Sequence, residues 1–165
     1  MRMESLQDLY VHELEDLYNA EKQILQALPK LAQKSEHSEL REAFEEHRRM
    51  TEEQVRRLET IFDDLGQRPR GRKCRGMEGI IDEGEELIRE DATPDVRDAA
   101  LIGTAQRVEH YEIAAYGTVR TYADQLGFKE HANLLQQTLD EEGETDKKLT
   151  QIAESRINRS AIENR

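Results

Sequence analysis

Apolar residues recur every three or four positions along most of this chain, which is the spacing of one buried face of an α-helix. Short polar or glycine-containing stretches interrupt the pattern, and no stretch looks like a strand. The pattern therefore predicts four long helices and one short one, at about residues 6–33, 38–65, 77–90, 94–126 and 129–155. The polar tail after Glu154 is expected to fray.

The lengths of the connections predict how these helices are arranged. The first two helices are joined by a short link, as are the last two, so each pair should form an antiparallel hairpin. A long connection that carries the short helix joins the two hairpins. We therefore expect residues 1–165 to form a single all-α domain, a four-helix bundle with one long crossover, which is the ferritin-like topology.

Composition and charge narrow the classes of function. A chain of 165 residues with 36% hydrophobic and 36% charged residues suits one domain of long amphipathic helices. The net charge of −12 repels nucleic acid and anionic membranes, and it attracts cations. The single cysteine, Cys74, excludes an internal disulfide and a cysteine-based zinc site. Without a membrane span or a targeting segment in the sequence, a cytoplasmic protein is expected.

Two glutamates interrupt the apolar face of the fourth predicted helix. Glu109 and Glu112 lie one turn apart, within the stripe that includes Ala105, Val108 and Tyr116. A buried carboxylate costs several kcal/mol unless a partner or a metal compensates it. This face therefore predicts a bound cation.

An internal half-repeat places further polar residues on the same faces. A shift of 91 positions carries Glu21 onto Glu112 and also carries Phe44 onto Leu135, so both helices of the first hairpin match the second hairpin in phase. The same shift carries Thr51 onto Glu142. Glu142 is therefore expected to point inward, and its neighbour Glu141 is expected to be solvated.

These positions resemble a di-metal ligand set. Di-iron and di-manganese bundles take one Glu from each of two helices and a Glu-x-x-His pair from each of the other two. Carboxylates and imidazole also suit iron. The candidate metal ligands are Glu21, His47, Gln54, Glu109, Glu112, Glu142 and Asp146. This set should hold one or two metal ions per subunit. Iron is the expected metal, and manganese and zinc are alternatives.

Two segments resemble a known protein family. Residues 13–23 and 108–117 are similar to the first and third helices of the YciE/YciF ferritin-like proteins, and residues 79–83 and 139–142 agree with them too. The resemblance implies a bundle related to rubrerythrins, a homodimer, a link to bacterial stress response and a ferroxidase activity that uses oxygen or peroxide. The second helix departs from the family, because Gln54 stands where the family often has His.

Other readings of the same residues remain open. A non-enzymatic, dimeric stress scaffold with a decayed site would keep Glu109 and Glu112 as hydrogen-bonding groups and His47 as a satisfied core histidine. A DNA-protecting ferritin relative is a third hypothesis, and the acidic charge opposes it. The five cations at residues 68–75 are expected to form a solvated loop or to meet an acidic partner, and they could lower the pKa of Cys74.

Overall fold

The computed structural model describes residues 3–163, and it is helical throughout apart from short connections. The helices are α1 (Leu6–Lys34), α2 (Ser38–Asp64), α3 (Arg75–Arg89), α4 (Pro94–Gln125), α5 (Lys129–Ile152), a π-helical turn (Ala153–Ile157) and α6 (Asn158–Glu163). No strand occurs within these residues, which confirms the all-α prediction. No helix in the described part of the chain has the length and apolar character that a membrane span needs.

The four long helices pack as two hairpins. Helix α1 packs on α2 and α4 on α5, while α1–α4 and α2–α5 contacts join the hairpins. Helix α3, in the long crossover, packs against α1 and α4. The predicted bundle with a short helix in its crossover is therefore confirmed.

Local sequence sets several helix ends. Ser5 and Asp8 form a reciprocal capping box at the start of α1. Gly66 and Gly127 take the left-handed conformation just past α2 and α4, with φ of 64° and 82°. Glycine carries no Cβ, so it adopts this conformation without strain and stops both helices.

The core consists of two apolar clusters with a buried polar layer between them. One cluster, beside α3, includes Ile24, Leu28, Phe44, Leu101 and Leu149. The other includes Tyr10, Leu14, Leu58, Tyr116 and Leu135. We call the buried polar residues between them the polar layer: Glu21, His47, Thr51, Gln54, Glu109, Glu112 and Glu142.

The expected fraying after Glu154 is wrong, because the chain continues through the π-helical turn into α6. Ala153 and Ile157 are buried, and both segments contact α4. The segment is polar on average, so the sequence pattern did not indicate that these two apolar residues, four positions apart, lie on one buried helix face. Helix α3 also begins at residue 75, two residues before its expected start, where the Cys74 sulfur accepts a hydrogen bond from the Met77 amide (3.4 Å).

A buried aspartate ties the turn of the first hairpin to the second hairpin. The Asp98 carboxylate accepts hydrogen bonds from the backbone N–H groups of Glu36 (3.0 Å) and His37 (2.9 Å) and lies 2.8 Å from His37 Nδ1. Asp98 belongs to α4 and is fully buried. The two hairpins are thus held in register near one end of the bundle.

Helix α3 can lie close to α4 only because Gly84 has no side chain. A Cβ at Gly84 would lie 2.4 Å from Thr104 Cγ2, whereas one at Gly79, on the same helix, would meet nothing within 4 Å. We expect Gly84→Ala to lower the free energy of unfolding by about 1–3 kcal/mol through overpacking. The matched control Gly79→Ala should raise it by up to about 1 kcal/mol through helix propensity. Urea unfolding measures both, and equal stability of the two variants would contradict this packing.

Candidate metal centre

Four side chains of the polar layer converge on one point. His47 from α2, Glu109 and Glu112 from α4, and Glu142 from α5 each bring one potential ligand atom to within 4.8 Å of the others. All four residues are at most 2% exposed. Glu109 and Glu112 reach the point together because residues three apart share one face of a helix.

Most polar atoms of this group have no hydrogen-bond partner. Both carboxylate oxygens of Glu109 and of Glu112, and both ring nitrogens of His47, are buried without one. His47 Nε2 lies 3.2 Å from Glu109 Oε1 and 4.0 Å from Glu142 Oε2, but neither approach has hydrogen-bond geometry. Native proteins rarely leave buried polar atoms unpaired, so these atoms are available to hold a metal ion or a shared proton.

Glu21 and Gln54 lie at the edge of the group. The Tyr116 hydroxyl donates a hydrogen bond to Glu21 Oε1, and Glu21 Oε2 is left without a partner. The Gln54 amide donates to Glu142 Oε1, and its own carbonyl oxygen is unpaired. Both residues are fully buried, so each could supply an oxygen ligand after a small side-chain movement.

Glu141, which the sequence placed in solvent, belongs to the support of the site. It forms a bidentate ion pair with Arg57, with two N–O distances of 2.7 Å, and it accepts a hydrogen bond from Gln54 (3.1 Å). Arg57 was missed altogether. The signal was available, because Arg57 follows Gln54 by three residues and so shares its helix face.

Asp146 lies outside the group of four. Its carboxylate lies 3.2 Å from Gln106 Nε2 and 3.1 Å from His110 Nε2, and its side chain is partly exposed. Asp146 follows Glu142 by four residues, so it shares the helix face broadly, but it borders solvent at the α4–α5 seam. Its own partners satisfy it without a metal.

Burial dominates the electrostatics of the polar layer. It raises the pKa of Glu21 to about 8, with the charge of Glu142 as the next cause. Burial and neighbouring carboxylates also hold the pKa values of Glu109 and Glu112 well above the usual range, while burial lowers the pKa of His47. The layer therefore favours proton or cation uptake by its carboxylates, and a neutral imidazole with a free lone pair.

The donor set fits a divalent metal. Carboxylate oxygens and imidazole nitrogen together suit iron, manganese or zinc. Donors that bind one such ion at about 2.1 Å lie no more than about 4.2 Å apart. The spread of 4.8 Å exceeds that limit by about half an ångström, so side-chain rotations would be needed to bring the donors onto one ion.

Cys74 does not have the lowered pKa that its basic neighbours suggested. It is buried, and burial raises the pKa of its thiol. Its sulfur lies 3.0 Å from the Tyr111 hydroxyl, which donates to Asp16 (2.8 Å). Cys74 is therefore a packed residue that joins the crossover to α1 and α4.

The family model described as "Domain of unknown function (DUF892)" matches residues 5–162. The chain belongs to this family. Protein YciF of Escherichia coli strain K12 is 44% identical over 162 residues, covering 98% of both chains. This confirms the resemblance to the YciE/YciF proteins.

Solved structures of relatives share the fold. A crystal structure of the E. coli stress protein YciF superposes with a TM-score of 0.91 at 44% identity, covering 94% of this chain and 99% of that one. A Rhodopseudomonas palustris protein, provisionally described as structural, gives 0.87 at 39% identity, covering 89% and 94%. A Xanthomonas campestris protein at 20% identity gives 0.74, covering 92% of both chains, which shows the fold alone.

The raised pKa of Glu21 predicts how stability depends on pH in metal-free protein. Between pH 4.5 and about 8 the folded state keeps Glu21 protonated while the unfolded chain ionises it. The unfolded state then binds fewer protons, so the free energy of unfolding falls as the pH rises through this window. Glu21→Gln abolishes this ionisation, so we expect its stability advantage over the parent chain to grow from pH 5 to pH 8.

Chelator-treated protein unfolded in urea at several pH values measures this difference. The exposed Glu144→Gln is the matched control, and its difference from the parent chain should stay flat. An equally flat difference for Glu21→Gln would show that Glu21 ionises normally in the folded protein.

Proposed function

We propose that this chain binds one or two divalent metal ions, iron first, in the polar layer, and that it acts as a ferroxidase-type or peroxide-consuming protein in bacterial stress response. The observation that carries the proposal is the set of unpaired buried atoms on His47, Glu109, Glu112 and Glu142. The relative from E. coli is described as a stress protein, which supports the physiological setting.

The carboxylates provide charge for a cation. Coupled carboxylates at one level of a bundle repel each other, and a bound divalent ion would replace that repulsion with attraction. The neutral His47 would add a nitrogen ligand that favours iron, manganese or zinc over magnesium or calcium. Gln54 and the Arg57–Glu141 pair would hold Glu142 in place from outside the group.

Iron would supply the redox chemistry. As substrate, two Fe(II) give one electron each to one dioxygen, which with two protons yields two Fe(III) and one hydrogen peroxide. The chain's part would be to hold the ions with side chains that three helices bring into one buried layer. Tyr116, hydrogen-bonded to Glu21, would hold one wall of the layer.

A second candidate function is a non-enzymatic scaffold. Gln54 is the observation that favours it, because an amide that donates to Glu142 occupies a position where a full di-metal site needs a stronger ligand. The R. palustris relative described as structural agrees with this reading. A scaffold would keep its polar layer protonated and would not respond to metal.

We propose further that the protein acts as a homodimer, as the family resemblance implies. Light scattering coupled to size exclusion should then give twice the 19.2 kDa mass of one chain. A mass of one chain at micromolar concentration would contradict the dimer and leave the metal site unaffected.

Metal binding should stabilise the fold. A ligand present at 100 times its Kd adds about 2.7 kcal/mol. For a chain of this size that corresponds to a rise in Tm of about 5–10 °C. We therefore expect anaerobic Fe(II), Mn(II) or Zn(II) to raise the Tm of chelator-treated protein by that amount.

Two variants on α5 distinguish binding in the polar layer from binding at surface carboxylates. Glu142→Gln removes a candidate ligand, so the Tm rise should disappear, while the exposed Glu144→Gln should keep it. Calorimetric titration of the same proteins with Zn(II) gives the stoichiometry. An unchanged Tm of the parent chain with all three metals would support the scaffold instead.

A further inference from the structure

A small apolar cavity lies beneath α3 and reaches the polar layer. It has a volume of about 40 Å³ and lies between α1, α3 and α4. Its walls are mainly aliphatic: Ile24, Leu28, Ile81, Ile88, Ala105 and Val108. We call it the α3 cavity.

The inner wall of the α3 cavity includes His47. Both nitrogens of this imidazole are buried and have no hydrogen-bond partner. None of the three glutamates of the convergent group lines the cavity. A molecule in the α3 cavity would therefore be next to the candidate metal site but separated from its carboxylates.

One further polar atom in the α3 cavity has no partner. Thr104 is 4% exposed, and its hydroxyl oxygen is buried without a hydrogen bond. Most buried threonine hydroxyls in a helix bond to the carbonyl four residues earlier, as Thr51 does here. Because Thr104 lines the cavity, its unpartnered hydroxyl is a candidate donor to an occupant.

Size and polarity select the occupant. One water needs about 10–15 Å³, so a cavity of about 40 Å³ has room for a diatomic or triatomic molecule. A buried water needs two to four polar partners. Hydrogen peroxide, with two donors and two acceptor oxygens, needs at least as many. Dioxygen needs none and can accept one weak hydrogen bond, which matches walls that are mainly aliphatic.

The mouth of the α3 cavity is polar although its walls are not. Lys30 of α1 and Glu85 of α3 form an ion pair of 2.8 Å, and both residues line the cavity. The pair is largely solvated, so it can separate with little cost.

We propose that the α3 cavity is a dioxygen-binding site that delivers dioxygen to the polar layer past His47. The binding site stands on the cavity itself, whereas the use of dioxygen as oxidant rests on the proposed ferroxidase function. In this site the Thr104 hydroxyl would orient the bound molecule, and half-buried Ala27 forms part of the cavity wall.

Xenon tests the binding site without any metal. Crystals of metal-free protein pressurised with xenon should show an anomalous peak inside the α3 cavity, because dry apolar cavities bind xenon. Ala27→Leu adds a side chain that fills the cavity, so the peak should disappear. The exposed Ala114→Leu on α4 is the control and should keep it. A parent-chain crystal without a peak in the cavity overturns the proposal.

Oxidation kinetics test the delivery. In protein loaded with Fe(II) anaerobically, Ala27→Leu should slow oxidation by dioxygen several-fold and leave oxidation by hydrogen peroxide unchanged. Zn(II) affinity equal to that of the parent chain would show that the variant folds and keeps its metal site. Equal slowing with both oxidants, or no slowing with dioxygen, overturns delivery through this cavity. If the parent chain oxidises no iron, the proposed function fails, and the xenon result still decides the binding site.

Discussion

The burial of several carboxylates at one level of the bundle is the constraint on which the rest of this structure depends. Glu21, Glu109, Glu112 and Glu142 are all fully buried, and within residues 3–163 no lysine or arginine is buried with them in the polar layer. An unpaired buried charge costs several kcal/mol, so the layer must be protonated or bind a cation. In either state, the rest of the fold must be stable enough to offset the free energy of burying these carboxylates.

The two apolar clusters provide that support. One lies on each side of the polar layer, so the helices are packed above and below it. Contacts near the ends of the bundle hold the helices in register with one another. Asp98 binds the turn of the first hairpin. His131 on α5 lies 2.7 Å from Asp64 and 3.2 Å from the Tyr10 hydroxyl. The layer is therefore held at a fixed geometry, which a metal site needs and a fraying helix could not provide.

Sequence periodicity predicted most of this architecture because long amphipathic helices follow one simple period. It also brought Glu109, Glu112 and Glu142 to the correct faces, since inward position depends only on that period. It failed at Glu141 and Arg57, whose interaction joins two helices and depends on side-chain reach across the interface. It also failed around Glu154, where the buried apolar residues Ala153 and Ile157 outweigh the polarity of the segment.

The α3 cavity could not be predicted from sequence at all, because a hollow arises from how three helices pack. Gly84 and Thr104 fix the distance of α3 from α4, and the aliphatic residues around them leave a space. Helical spacing predicts that such residues are buried, but it does not show whether their side chains fill the space between the helices. Among the residues that the structure describes, His47 is the one member of the polar layer that also lines the α3 cavity.

The most direct test of the central claim is an anomalous difference map at the iron absorption edge, from crystals soaked anaerobically in Fe(II). A metal centre in the polar layer predicts a peak about 2.0–2.3 Å from a nitrogen of His47 and from oxygens of Glu109, Glu112 and Glu142. Peaks confined to surface carboxylates, with the polar layer empty at full soak concentration, would contradict it.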